Sequence, residues 1–409
     1  MTTLADQPIT AQSGSFKLSM LLNDTRYRSL TFQFIALVAI IAFMAFVGGN
    51  LVRNLAAAGL NISFDFLGEP AGYDINQRPI EYDSQASHGR AAVVGLLNTL
   101  IVAFLACVTA TIFGVIAGVL RLSNNWLVSK LMSIYVEIFR NVPVLIWILI
   151  IFSIMINAAP APRDFRGDDA TASMILFDSI AITNRGVYLP KPVFGDGAMI
   201  VLAVFVLSIV GIFAFRAYAK KQLFDHGRLL PTFWPSIGLF FVPAILAQLL
   251  LGNPITLEYP ALAGFNFRGG ITILGSLIAL WFALAIYTGA FIAENVRAGI
   301  QAISKGQTEA AAALGLRPNR IMSLVILPQA LRVIIPPLIS QYLNITKNSS
   351  LAIAVGYMDV TGTLGGITLL QTGRAIETIL LLMLFYLTVS LLISFFMNIF
   401  NNRMKLKER

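Results

Sequence analysis

Charge is what this 409-residue sequence has least of: 12% of its residues are Asp, Glu, Lys or Arg, where a soluble domain carries roughly 25%. So few charges cannot coat a globule, and an ordinary soluble domain is excluded. Cysteine is almost absent. Cys107 is the single one; it lies inside an apolar run, so no disulfide framework exists. Histidine occurs twice, as His88 and His226, in loops far apart in sequence, and no metal site is expected from them. The pattern G-x-x-x-x-G-K-[ST] is missing and even the dipeptide Gly-Lys does not occur, so ATP is not bound here by a P-loop. Alternating segments of about 10 residues, the mark of a spanning β-barrel, are not found either.

What is present is hydrophobicity, at 57% of residues, gathered in runs of about 20, the length that crosses a bilayer core as helix. Eight spans are expected near residues 30–50, 91–120, 131–156, 198–218, 235–252, 271–296, 322–345 and 376–400. The fold class is therefore all-α, a polytopic membrane protein. The first run follows 29 polar residues and is longer than a signal-peptide core, so it reads as a retained span. An even number of spans puts both termini on one side. With that side inside, inner segments hold 17 Lys/Arg against 6 acidic residues, and outer segments hold 9 against 13. The positive-inside rule then places both termini in the cytoplasm. The formal charge of +9 thus reports loop bias, with membrane lipid and not nucleic acid as the partner. The outer loops 51–90 and 157–197 are rich in Gly, Pro, Asp and Asn and read as turns and irregular structure.

Residues 309–328, EAAAALGLRPNRIMSLVILP, lie between two apolar runs on the basic side. Thr308 can cap a helix, Glu309 would sit in its first turn, four alanines follow, and Gly315 is a natural stop. Such a short helix has little bulk on one face. Two readings fit: an interfacial connector, or a peg that docks in a groove of another protein.

This stretch resembles the EAA loop of ATP-binding-cassette importer permeases. Its flanks, YTGAFIAENVRAGIQAISKGQTEAAAALGL (287–316) and LPQALRVIIPPLISQYLNITKNSSLA (327–352), resemble the histidine/glutamine/arginine branch, which carries polar amino acids. NTLIVAFLACVTATIFGVIAGVLRLS (98–123) and EIFRNVPVLIWIL (137–149) look like that branch's first two core helices. The branch usually has five core spans. This chain adds one before them and two between the second and third, a layout similar to the longer permeases of general L-amino-acid importers. The resemblance implies a type I permease core at 91–400 with an inserted loop and two helices at about 157–270. Around it would lie a cytoplasmic N-terminal segment (1–29), an extra first helix (30–50), a periplasmic loop (51–90) and a cytoplasmic tail (401–409), all in a bacterial inner membrane. It also implies that Glu309, Ala310, Ala311 and Gly315 form a coupling helix for a separate ATPase dimer that binds ATP and Mg. The remaining implied partners are a second permease subunit, identical or not, and a periplasmic amino-acid-binding protein. No catalytic residue is expected.

Charges within spans are costly and tend to mark function. Glu137 and Arg140, three apart, either pair with one another or leave Arg140, Asn141 and Pro143 in a kinked helix lining the path. Glu294 and Arg297 repeat the spacing. Arg332 can snorkel to the headgroups. Lys347, in LNITKNSSLA, either is solvated at the outer surface or joins Ser349 and Ser350 as donors to an amino-acid carboxylate. Asn344, Gln341 and Glu294 are candidate acceptors for its ammonium. Pro336 and Pro337 should bend the seventh span. The rival reading is an ion-gradient-driven amino-acid transporter, which needs a carboxylate at midplane; Glu137, near a span end, is the one candidate.

Overall fold

The computed structural model describes Leu22 and residues 25–57, 59, 61–167 and 170–404. Most of the expected N-terminal segment, and the tail beyond Met404, lie outside these residues. The chain divides into two units, Met1–Phe64 and Asp65–Arg409. The first holds one helix, α1 (Thr25–Ala57), with Phe32, Ile35, Leu37, Ile41, Phe43 and Phe46 all exposed. A helix apolar on every face suits hydrocarbon.

The second unit contains the remaining spans: α2 (His88–Leu120), α3 (Trp126–Asn141), α4 (Val144–Ala158), α5 (Ala198–His226), α6 (Phe233–Leu250) and α7 (Gly275–Gln301). After α7 come the short helices α8 (Lys305–Ala313) and α9 (Pro318–Ile321), then α10 (Leu327–Asn348), α11 (Leu369–Thr372) and α12 (Ala375–Met404). Among the described residues, seven helices are long and apolar enough to cross a membrane, or eight if α3 and α4 form one span. These are the eight positions read from sequence. The third is not a straight helix, however: α3 and α4 meet at 107°. Pro143 lacks an N–H and keeps its predecessor out of helical geometry, and Val142 is accordingly extended at φ −108°, ψ 132°. Pro336 and Pro337, expected to bend the seventh span, do not break it: both lie inside the continuous helix α10.

Helix α7 is the axis of the unit. Its small residues, among them Ala279, Ala283, Gly289, Ala290 and Ala293, are buried, which lets other backbones come close. A Cβ added to Gly114 of α2 would lie 2.5 Å from the Ile292 Cβ, and one on Gly118 would lie 2.7 Å from the Ala293 carbonyl oxygen. On another face of α7, a Cβ on Gly299 would meet Ile334 of α10 at 2.4 Å. Polar ties complete the packing. Trp281 Nε1 donates to Thr109 Oγ1 at 3.0 Å, and Tyr135 of α3 donates to the Ile286 carbonyl at 2.6 Å.

Successive spans alternate in direction, so residues 121–125, 227–232 and 302–317 gather at one end of the bundle, the loop end. The opposite end carries strands, where the sequence suggested only irregular structure. Strands β1 (Ala181–Thr183), β2 (Gly186–Leu189) and β7 (Ile271–Leu274) form one antiparallel sheet in the order β1-β2-β7. Two separate antiparallel pairs lie with it: β3 (Lys191–Phe194) with β4 (Ile255–Glu258), which bracket α5 and α6, and the hairpin β5 (Ala261–Ala263) with β6 (Asn266–Arg268). The β-branched and aromatic residues of ITNRGVYL and ALAGFNFRGGITIL favour strands, and two-residue turns link them. Tyr188 and Phe267 are buried with their ring centroids 5.2 Å apart, and Phe165 meets Phe267 edge-on at 5.2 Å. This module therefore has a small core of its own.

Candidate functional site

Helix α8 stands at the loop end. It begins earlier than expected, with Ser304 at its N-cap, so Thr308 is interior and Glu309 lies beyond the first turn. Its end is as expected. Gly315 adopts φ +77° with open space where a Cβ would go, the Leu316 N–H bonds the Ala311 carbonyl at 3.3 Å, and the Gly315 N–H bonds the Ala312 carbonyl at 2.9 Å. This is a Schellman closure, which needs a left-handed residue and so favours glycine. Glu309, Ala310, Ala312 and Ala313 are exposed, and Leu314 is 83% exposed. Ala311 instead turns inward and is buried against its own chain. The outward face is thus built by Ala310, Ala313 and Leu314, with Ala311 as its anchor.

Beside the loop end, four charges converge. Glu294 of α7 accepts from Arg121 at the end of α2, from Arg297 one turn on at 2.6 Å, and faces Arg140 of α3 at 3.8 Å. The Arg140 guanidinium also lies 5.2 Å above the Phe291 ring. Arg140 therefore pairs with α7 and not with Glu137, which is exposed and has no ion pair among the described residues. Both Glu294 oxygens are occupied by arginines, which makes this carboxylate a clamp between α2, α3 and α7. Asn141 is exposed beside the break. Arg332, expected to snorkel, has its Nε and one Nη buried without a hydrogen-bond partner among the described residues.

Along α10 the exposed positions Pro336, Ser340, Asn344 and Lys347 follow helical spacing, so Ser340, Asn344 and Lys347 form one exposed polar stripe. Gln341 flanks it, half-buried. Lys347 makes no ion pair among the described residues. The two serines expected beside it point elsewhere: Ser349 is buried and donates to the Thr346 carbonyl at 2.7 Å, and Ser350 donates to the Lys347 carbonyl at 2.7 Å. Ser340, Asn344 and Lys347 thus share one exposed row, while Ser349 is turned inward and Glu294 and Arg140 are engaged with each other.

A buried polar layer at the strand end was missed. Asp359 is fully buried; its Oδ1 accepts from the Gly362 N–H at 2.8 Å, while Oδ2 has no partner among the described residues. Burial pushes this carboxyl up to about 7. Asn98 donates to the Met358 carbonyl at 2.8 Å and the Gln77 carbonyl at 2.9 Å, and Thr99 accepts from the Val360 N–H at 3.0 Å. An acidic residue between Tyr357 and Thr361-Gly362-Thr363 is a weak signal, and nothing else in the sequence marks it.

A spanning bundle with a bare small-residue helix at one end and a polar stripe along one span is a membrane transport component. Residues 221–406 match the family described as "Binding-protein-dependent transport system inner membrane component", and the chain belongs to that family, among its ABC amino-acid permeases. It is 52% identical to the glutamate/glutamine/aspartate/asparagine transport system permease protein BztB of Rhodobacter capsulatus, over the whole of both chains. It is 41% identical to the general L-amino acid transport system permease protein AapQ of Rhizobium johnstonii, over 98% of each. The shorter glutamate/aspartate import permease protein GltJ of Escherichia coli aligns over 95% of its own length on 54% of this chain, at 27% identity. These relatives give the ion-gradient reading no support.

Proposed function

We propose that this chain is the membrane-spanning subunit of an ATP-driven importer of amino acids, with acidic amino acids and their amides, the solutes in the name of its 52%-identical relative, among its cargo. Helix α8 carries the reading. It is exposed, small-faced and closed by a residue that only glycine serves without strain, and it has no packing role that would require alanines on its outer side. In the proposed assembly it seats in a cleft of an ATPase dimer in the cytoplasm, where ATP and Mg are bound. Both termini share that side. Glu309 is the polar contact, Ala310 the close one, Ala311 the internal anchor and Gly315 the exit.

ATP can shift the transporter only through its different affinity for two arrangements, and α8 is the link by which the membrane helices feel that difference. The solute path runs along the α10 stripe, against a second permease subunit that covers the stripe from lipid. Lys347 meets the solute carboxylate and Asn344 its ammonium, while Gln341 borders the path. Arg140 and Glu294, with Arg121 and Arg297, hold the inner ends of the helices in register. Ser349 and Ser350 shape the helix end that presents Lys347, and Asn141 flanks the break. A periplasmic amino-acid-binding protein delivers the cargo.

The test is copurification of the tagged chain followed by uptake into vesicles. The expected result is a companion ATPase in the eluate and vanadate-sensitive amino-acid uptake; uptake that ionophores abolish and vanadate does not would overturn the reading. Gly315→Val, placed in the left-handed region at a cost of about 1–2 kcal/mol, should leave the chain inserted and uptake at background.

A further inference from the structure

The strand end carries a feature that the transport reading does not use. A cleft of about 510 Å³ opens among Pro162, Arg163, Arg166, Asn184, Arg185 and Phe265. Three arginines thus line one cleft in an outer segment where acidic residues otherwise prevail. The cleft is held open by its own architecture. Arg166 donates to the Gly264 carbonyl, and Arg185 donates to the Phe265 carbonyl at 3.2 Å. Both bonds cap the β5–β6 turn, where Gly264 takes φ +65°. Each arginine spends one guanidinium nitrogen on that turn, and its other guanidinium nitrogens make no further hydrogen bond among the described residues. Arg163 has its side chain 88% exposed, and its one ion pair among the described residues is with Asp164 at 3.6 Å. Asn184 adds a buried Oδ1 without a partner among the described residues. Phe265, at the rim, is 88% exposed.

Arginines around a protruding aromatic are the composition of a protein–protein hot spot. The free nitrogens are planar forks suited to carboxylates. The cleft also connects to the bundle: the β1–β2 turn holds Asn184 and Arg185, β2 pairs with β7, and β7 runs directly into α7, with the Gly275 N–H bonded to the Arg185 carbonyl at 3.3 Å.

We propose that this arginine cleft, built in the chain's inserted outer segment, docks an acidic surface of the protein that brings solute to the transporter. The inference rests on the importer reading and names the part of the outer face that meets the carrier. Carboxylates of the carrier enter the cleft, Phe265 packs at its edge, and Asn184 Oδ1 receives an N–H of the same surface. A docked carrier then presses on the sheet that continues into the central helix.

The experiment uses the full transporter in lipid nanodiscs and its carrier protein, with association measured at low and high salt. In Arg163→Gln/Arg166→Gln/Arg185→Gln, glutamine keeps donors for the turn carbonyls and removes the charge. The expected result is association slowed about tenfold or more at low salt, with the gap closing as salt screens it, and unchanged basal ATPase. Arg163→Gln alone, which touches no turn carbonyl, should show a smaller slowing in the same direction. Equal association of variant and wild type at low salt would overturn the proposal. So would calorimetric binding of free glutamate to the wild-type transporter without carrier, lost in the triple variant, since the cleft would then be a solute site. ATP-driven uptake by the wild type is measured separately, so the importer reading can stand while this one fails.

Discussion

Helices α7 and α12 both cross the bundle's apolar layer, yet they are opposite in kind. Two-thirds of the apolar stretch of α7 is buried and almost none of α12 is, at 67% against 6%, although α12 is the more apolar of the two. Hydrophobicity therefore does not decide which span lies inside. Size does: α7 has ten Gly, Ala or Ser in 27 residues, and α12 has three in 30. Inside a membrane, lipid is as apolar as leucine, so burial follows from close backbone approach and not from escape from water. Helix α12 shows Leu384, Leu391, Phe395 and Phe396 to its surroundings.

Substitutions can break this contrast. The largest expected effect is at Gly118→Leu, where a side chain would drive into the Ala293 carbonyl. A loss of about 3 kcal/mol, read as a fall in the melting midpoint of the detergent-purified chain, is expected, and an unchanged midpoint would remove small-residue packing as the organising cause. Glu294→Gln comes next. It leaves Arg121, Arg140 and Arg297 around a neutral amide, at a cost of about 1–3 kcal/mol, visible in the same melting experiment and reduced when Arg140→Gln is added. The smallest effect belongs to Leu391→Ala on α12, within roughly 0.5 kcal/mol for the isolated chain. A larger loss confined to the assembled transporter would sharpen the comparison by showing that a second subunit covers this face.

The spans were legible because runs of about 20 apolar residues have few other uses, and Gly315 was legible because a glycine after an alanine run has one dominant meaning at a helix end. The start of α8 was not, because Ser304 and Thr308 are both capping residues and tertiary context chose between them. The break at Val142–Pro143 was visible as a proline but not as a turn of 107°. Partner choice was beyond local spacing: Glu137 and Arg140 sit three apart, yet Arg140 reaches Glu294 on α7. The strands were missed because strands of three or four residues fall below what periodicity can register. Asp359 was missed because its character comes from burial by α2 and not from its neighbours in sequence.

The account depends most on what α8 touches. Cys107 is the single native cysteine, so it can be replaced by Ser and a thiol introduced at one chosen position. Maleimide labelling of Ala310→Cys, with and without the companion ATPase, measures that contact directly. Labelling slowed about tenfold or more by the ATPase, with Leu229→Cys in the neighbouring loop-end turn unaffected, is the expected result. Equal labelling of Ala310→Cys in both states would show that the helix meets no partner, and the proposed division between a membrane subunit and a separate motor would be contradicted.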